Sequence, residues 1–392
     1  MTQRPRLLYV VTHPMTARYL LSGQLAAAVD RGFAVAVASA PGPDLDAVAE
    51  EEEVEVFEIT IAREIQPLQD LQALAALVGV MLRWRPDIVN AGTPKAGLLG
   101  SLAARIARVP VRIYTLRGLR LETTTGRTHA ILRTTERLAS AAATRVVAVS
   151  HSLASEYVRL GLAPKEKVTV LGEGASNGVD VARFTYPNPT AVQELRARLG
   201  IEAGTPVIGF AGRFTQDKGI AELVEAFAMV REGHPETHLL LVGDYETGDP
   251  VGESIRTCVE ADPRILTPGF LPDPAPAYAL MDVLAFPSHR EGFPNVPLEA
   301  AAAGLPVVGA RATGTVDAVV DGQTGTLFPV GDVATLAHAL DQYLADPNLR
   351  HNHGVAGRAR VERHFTNERV WDALFEEVDR LLVKVGLLPP AR

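Results

Sequence analysis

Two short stretches hold side chains that can act together. Gly212-Arg213-Phe-Thr-Gln-Asp-Lys218-Gly219 sets two fixed cations just after an apolar run, Val207–Ala211. Further on, Glu291-Gly292-Phe293-Pro294-Asn295-Val296-Pro297-Leu298-Glu299 sets two carboxylates around a turn that opens a helix. A guanidinium and an ammonium at the carboxyl end of a strand can hold a diphosphate and stabilise the charge of a departing one without a metal. Carboxylates accept from hydroxyls. The two stretches together suit a ligand carrying both groups, a sugar nucleotide.

Their expected geometry follows from local rules. Gly212 permits a tight exit from the strand, and Lys218-Gly219 lie where the next helix begins, an end that favours anions. The run Pro297–Ala303 reads as a helix with Pro near its start and Gly304 past its end. Pro294 and Pro297 lack N–H groups, so Phe293, Asn295, Val296 and Leu298 are the backbone donors expected there. Glu299 is placed to hold ribose hydroxyls, much as an acidic residue does in dinucleotide folds. Each residue has a plainer reading alone: Glu299 as a charge that suits the helix dipole, Glu291 as a solvated loop acid, Arg213 and Lys218 as surface cations.

The elements that must carry these residues alternate. Leu7–Val11, Ala34–Ser39, Asp87–Asn90, Val111–Thr115 and Arg145–Val149 read as buried strands, with a helix over Tyr19–Asp30 stopped by Gly32. The grammar restarts after Phe184, past the Pro-rich Tyr186–Thr190, with strands at Val207–Ala211, His238–Val242, Ile265–Pro268, Val283–Pro287 and Pro306–Gly309. Short continuous apolar runs separated by helices imply parallel, doubly wound sheets. Two Rossmann-like halves are expected, residues 1–172 and 173–366. The amphipathic segment Asn367–Val385 reads as a packing helix, with residues 367–392 returning to the first half.

Composition narrows the class. The chain has 392 residues, a net charge of −8 and one cysteine, Cys258, read as a structural residue on a helix. No intrachain disulfide is possible, which fits a reducing cytosol. The Leu71–Leu82 apolar stretch is shorter than the roughly 20 residues that span a bilayer, and no signal peptide is expected. The Glu50–Glu53 run reads as a solvated helix end. From Arg83 to Arg145 the charge is strongly positive, opposed only by Asp87, Glu122 and Glu136. In an acidic chain that block implies either an Arg-rich solvated face or a local anionic partner, and not a nucleic acid. His13, His129 and His151 are scattered, so no metal site is expected. No Gly-x-Ser-x-Gly elbow supports a serine hydrolase, and Ser150 reads as a helix cap.

With Gly304-Leu-Pro-Val-Val added, the two motifs resemble the retaining glycosyltransferases of family 4, along essentially the whole chain. The resemblance implies the GT-B fold: two Rossmann-like α/β domains facing each other across a cleft, with the last helix crossing back to the N-terminal domain. It implies that Arg213 and Lys218 hold the donor diphosphate, that Glu299 holds ribose and that Glu291 meets the sugar ring. Phe270-Leu271 match the stretch whose backbone reads the base. Gly212, Gly292, Phe293, Pro294, Asn295 and Val296 complete the implied donor site, and Glu291, Arg213 and Lys218 its catalytic set. Pro94-Lys95-Ala-Gly97, Arg117-Gly118-Leu-Arg120 and Asn177-Gly178-Val-Asp180 resemble the capsular-polysaccharide branch. That branch implies a nucleotide-sugar donor (UDP-linked) and a sugar acceptor carried on undecaprenyl diphosphate. It also implies a cytoplasmic enzyme peripheral at the inner membrane face, with the basic block toward anionic lipid. Met15, Thr16, Lys95, Arg117 and Arg120 are the acceptor-side candidates. No cofactor and no metal are implied. The chain departs from many relatives at Arg117, where they carry His, and in Thr12–Thr16, which lacks their Gly pair. The rival classes are an epimerase or hydrolase using the two glutamates as acid and base, and a catalytically silent sugar-nucleotide-binding module.

Overall fold

In the computed structural model, which describes residues 4–62, 66–246 and 248–389, the chain divides into two compact units. One holds residues up to Asn177 together with those from Asn367 onward; the other is Gly178–Thr366. The first unit thus continues past Gly172, where the sequence analysis ended the first half.

The first unit is built on strands β1 (Arg6–Val10), β2 (Ala34–Ser39), β3 (Glu55–Glu58), β4 (Ile88–Gly92), β5 (Val111–Leu116), β6 (Arg145–Ala148) and β7 (Val168–Val170). They form a seven-stranded sheet in the order β3-β2-β1-β4-β5-β6-β7, every pairing parallel. The second unit carries β8 (Val207–Ala211), β9 (His238–Val242), β10 (Ile265–Gly269), β11 (Val283–Phe286), β12 (Val307–Ala310) and β13 (Gly325–Phe328) in the order β10-β9-β8-β11-β12-β13, again parallel. Strands such as β4, β8 and β11 are buried along their whole length. Helices cover both faces of such sheets, which is why β8 and β11 read as unbroken apolar runs; the one polar residue of β4, Asn90, is bonded to Thr115. The strands absent from the sequence reading, β3, β7 and β13, are all edge strands. In β3, Glu55-Val-Phe-Glu58, both end residues are exposed acids and the two central ones only half-buried, so no apolar run marks it.

The expected helix over Tyr19–Asp30 is two helices, Pro14–Leu20 and Gln24–Asp30. The break is Gly23, at φ 72°, where a Cβ would lie 2.7 Å from the Trp371 ring. Glu52 caps the second helix by accepting from the Ala26 N–H at 2.8 Å, so one member of the acidic run is a half-buried cap and not a solvated charge.

The helix Asn367–Lys384 belongs to the first unit. Its Leu374, Phe375, Val378, Leu381 and Leu382 share a core with Leu7, Val37 and Ile113 of the sheet, and Phe375 stacks on Phe33 at 6.0 Å. The buried Glu377 on that helix meets Arg145 at 2.8 Å. Trp371 Nε1 donates to Asn177 Oδ1 at 2.7 Å, tying the returning helix to the last residue of the outgoing segment. The second unit has its own core, including Phe210, Phe227, Leu239, Ala285, Phe328 and Leu340.

Much of the basic block has a local use that the sequence did not reveal. Arg105 and Arg112 donate to the carbonyls of Ala141 and Ala142, at the end of the helix Gly126–Ala142. Arg133 and Arg137 donate to the carbonyls of Leu160 and Gly161, just past the helix His151–Arg159. Carbonyls at helix ends lack intrahelical partners, and arginine supplies them. Ser150 caps the latter helix as expected, accepting from Leu153 N at 3.2 Å. Cys258, on the helix Glu253–Ala261, is exposed instead of packed.

Candidate functional site

In a doubly wound sheet the strand order reverses at one point, and a crevice opens there at the carboxyl ends of the two flanking strands. In the second unit that point lies between β8 and β11. The loop after β8 carries Arg213 and Lys218; the loop after β11 carries Glu291. Residues distant in sequence are therefore neighbours by topology.

The first loop leaves β8 through Gly212, whose N–H donates to Val242 O at 2.9 Å. Arg213 is largely exposed and pairs with Glu246. A short 3-10 turn, Gln216–Lys218, ends at Gly219, φ 71°, which precedes the helix Ile220–Gly233. A Cβ on Gly219 would stand 2.4 Å from the Pro287 carbonyl. Only glycine lets the two loops touch here, and that contact brings Lys218 to Glu291. The two form an ion pair, with Lys218 Nζ 5.9 Å from the Phe286 ring centroid.

The second loop is just as constrained. Ser288, fully buried, donates from Oγ to Glu291 Oε1 at 2.7 Å, and the Glu291 N–H donates to Thr313 O at 3.1 Å. Gly292, Phe293 and Pro294 are buried; Asn295 and Val296 are half-buried. The helix spans Asn295–Ala302, beginning before the expected Pro297. Proline at its third position is as compatible with a first turn as proline at its first, because neither N–H is needed there. The earlier start moves Leu298 into the hydrogen-bonded ladder. Asn295 and Val296 are left as the first-turn donors.

Glu299 sits in the second turn of this helix. Its Oε2 accepts from Tyr278 Oη at 2.7 Å. Burial pushes its carboxyl up from the usual range, and the Tyr278 hydroxyl and the Arg183 charge pull it partly back. Tyr278 is itself buried, edge-on to Phe184 at 5.4 Å. Phe270, half exposed, and Leu271 follow β10, whose last carbonyl, Gly269 O, accepts from Gly243 N at 3.1 Å. Every donor-side candidate thus lies at the carboxyl edge of one sheet, after β8, β10 or β11 or on the helix that follows.

Sequence reasoning missed several polar residues of this edge: Ser288, Tyr278, Asp217, Arg290 and the pair His289–Glu222, Nε2 to Oε1 at 2.7 Å. The Glu222 carboxylate raises the His289 pKa. One signal was present: Ser288-His289-Arg290 is a polar run directly after a buried strand and directly before Glu291.

The first unit has its own reversal, between β1 and β4. Thr12 and Thr93, after those strands, meet hydroxyl to hydroxyl at 3.2 Å. Thr93 has φ 74°, a conformation unusual for a β-branched residue. Arg117, after β5, has its Nε 3.0 Å from where a Gly92 Cβ would stand, and donates to Ser176 O at 3.4 Å. Burial pushes its pKa down to about 10. It lines a cavity of about 30 Å³ with Gln24, Asn90 and Thr115. Lys95 is paired with Asp70 at 2.6 Å, Arg120 is exposed, and Met15 and Thr16 lie on the helix Pro14–Leu20, Met15 exposed. Met15 and Thr16 after β1, Lys95 on the helix after β4, and Arg117 and Arg120 after β5 follow three adjacent strands of the sheet. Among the described residues no cluster of His, Cys, Asp and Glu is arranged to hold a metal ion.

Residues 205–346 match the family Glycosyl transferases group 1, and residues 16–174 match the Glycosyl transferase 4-like domain. The chain is 38% identical over 316 residues to the capsular polysaccharide biosynthesis glycosyltransferase CapM of Staphylococcus aureus, covering 81% of this chain and 82% of that one. It is 26% identical over 296 residues to the UDP-Gal:alpha-D-GlcNAc-diphosphoundecaprenol alpha-1,3-galactosyltransferase of Escherichia coli, covering 75% of each. The crystal structure of Anabaena Alr3699/HepE in complex with UDP and glucose shares the fold, with a TM-score of 0.81 over 96% of this chain and all of that one, at 23% identity. The match over residues 205–346 contains both charged motifs, and with the identity to CapM and the shared fold it shows that the chain belongs to family 4 of the glycosyltransferases and has the GT-B fold.

Proposed function

We propose that this glycosyltransferase moves a hexosyl or N-acetylhexosaminyl group from a UDP-sugar to a sugar acceptor built on undecaprenyl diphosphate, with retention, in capsular or related surface-polysaccharide synthesis. The observation that carries the donor side is the meeting of Lys218 and Glu291 across the β8/β11 reversal. UDP is supported by the ligand of HepE, the acceptor class by the name of the E. coli galactosyltransferase, and capsular synthesis by that of CapM.

In this reading the diphosphate lies between Arg213, Lys218 and the free N–H groups of Asn295 and Val296. Lys218 exchanges Glu291 for a phosphate oxygen, which frees Glu291 to accept from the sugar ring. Glu299, with one oxygen held by Tyr278, offers the other to ribose. The bond from the anomeric carbon to the phosphate oxygen breaks as the acceptor oxygen bonds to the same face. The acceptor proton passes to an oxygen of the departing diphosphate. The cations offset the charge that develops on the leaving group, so the rate comes from positioning and electrostatics, with no metal required.

Arg117 and Lys95 are proposed for the acceptor side. The helix Gly126–Ala142 leaves Ile131 and Leu138 exposed on one face, with Arg127 exposed one turn before Ile131, and this face is the contact proposed with anionic lipid at the inner membrane face. Among the described residues no helix is long and apolar enough to cross a membrane.

Titration calorimetry with UDP-, GDP- and ADP-sugars on wild type and Glu299→Ala tests the donor reading. Binding of the UDP-sugar, weakened about tenfold or more in the variant, is expected. Binding of none, or equal binding by the variant, refutes the site as drawn. Steady release of free sugar and UDP without acceptor would favour the hydrolase. Co-sedimentation with vesicles tests the membrane contact; equal binding to neutral and anionic vesicles, or none, rejects it.

A further inference from the structure

The donor-site loops are joined by a second ion pair that the proposed chemistry does not use. Asp217 directly precedes Lys218, and Arg290 directly precedes Glu291. Lys218 pairs with Glu291, and Asp217 Oδ2 accepts from Arg290 Nη2 at 2.8 Å. Two successive residues of one loop thus face two successive residues of the other. The order of charges fixes the register. A slip of one residue either way would set Asp217 against Glu291 or Lys218 against Arg290, like charge on like.

Asp217 is also the better anchored of the two residues on its loop. Its carboxylate accepts from Thr215 Oγ1 at 2.6 Å, its N–H donates to Asp249 Oδ2 at 3.1 Å, and its carbonyl accepts from the His289 N–H at 2.8 Å. Burial by itself would raise its pKa. The Thr215 hydrogen bond and the charges of Arg290, Lys218 and Arg213 hold it below the ordinary range instead. When Lys218 turns to a phosphate, the Asp217–Arg290 bridge still holds loop to loop.

We propose that Asp217 is a positioning residue: paired with Arg290, it holds the two loops in the register that presents Lys218 and Glu291 to the same donor. This rests on the donor reading above. Its effect is therefore expected in donor affinity more than in the stability of the unliganded protein.

The test uses UDP as the probe, with calorimetric Kd and thermal midpoint measured on the full chain. Asp217→Asn and Arg290→Gln are each expected to weaken UDP binding about tenfold, and the double variant to be no weaker than either single one. In a Lys218→Met background, with UDP binding read by competition, Asp217→Asn is expected to add no further loss. UDP affinity within about twofold of wild type in Asp217→Asn overturns the proposal. A loss that persists undiminished in the Lys218→Met background also overturns it, because the effect would then be general loop disruption. Should Asp217→Asn not fold, Arg290→Gln carries the same comparison, with the same outcomes deciding. A wild type that binds none of UDP, GDP or ADP defeats the donor reading and this proposal together. Wild-type binding with unaffected variants defeats this proposal alone.

Discussion

At the scale of single residues, the site depends on polar groups held in place before any ligand arrives. Lys218, Glu291 and Ser288 hold one another, and Tyr278 holds Glu299. An acid on a helix beside a buried tyrosine is costly unless bonded, and the hydroxyl offsets part of that cost. Tyr278→Phe should therefore remove about 1–2 kcal/mol of stability and push the Glu299 carboxyl higher still. It should also weaken nucleotide binding, because a carboxyl that keeps its proton accepts poorly. Thermal unfolding and nucleotide titration on this variant check both effects; unchanged affinity would show that Glu299 does not meet the ligand.

Between elements, two buried carboxylates tie helices to the first sheet. Glu136, on the helix Gly126–Ala142, accepts from Tyr114 of β5 at 3.0 Å and from Tyr157 of the helix His151–Arg159 at 3.1 Å. Burial pushes its carboxyl up to about 7, with the tyrosine hydroxyls opposing. The folded state then holds this proton more tightly than the unfolded chain. Its contribution to stability is fully present below the ordinary carboxyl range and is lost as pH rises through about 7. Relative to Glu136→Gln, the wild type should lose stability on the order of 3 kcal/mol between pH 4.5 and 7. Urea titrations of both proteins across that range measure it, and parallel curves would refute it. The second carboxylate, Glu377, is 1% exposed and meets Arg145 and Arg380, each at 2.8 Å. Arg380 is mostly in solvent, so Arg145 is the partner that matters. Arg145→Ala should cost about 3 kcal/mol, since it leaves a buried charge undercompensated. A urea midpoint equal to that of wild type would show that Arg380 suffices.

For the molecule as a whole, the two units differ in how the chain completes them. The core of Gly178–Thr366 is drawn wholly from that continuous segment. The core of the other unit needs Leu374, Phe375, Val378, Leu381 and Leu382 from the far end of the chain. Each such side chain contributes roughly 1.5–3 kcal/mol when buried. A fragment of residues 178–366 should therefore fold alone with a cooperative transition, and should keep nucleotide binding if the donor site is as proposed. A fragment ending at Asn177 should not fold cooperatively until residues 367–392 are supplied. Circular dichroism melts of the fragments, alone and mixed, distinguish these outcomes.

Local pattern was enough for the elements that need no distant partner. Val207–Ala211 and His238–Val242 are strands over the very residues whose apolar runs marked them, because strands buried on both faces need no partner to be recognised. The charged motifs were legible for the same reason: fixed side chains beside strand ends and a helix start follow from spacing alone. Tertiary structure decided the rest. Three of the four edge strands were hidden, because Glu in β3 and Thr in β7 and β13 leave no run of more than two apolar residues; the fourth, β10, was legible despite its edge position. The break at Gly23 depends on Trp371, from the far end of the chain. The pairing of Lys218 with Glu291, and of Asp217 with Arg290, depends on β8 lying beside β11, which no local window contains. Arginines that read as a charged face proved to close helix ends, because carbonyls left without partners show only once the helices are placed. Spacing along a chain names the groups that can act; strand order in a sheet decides which of them meet.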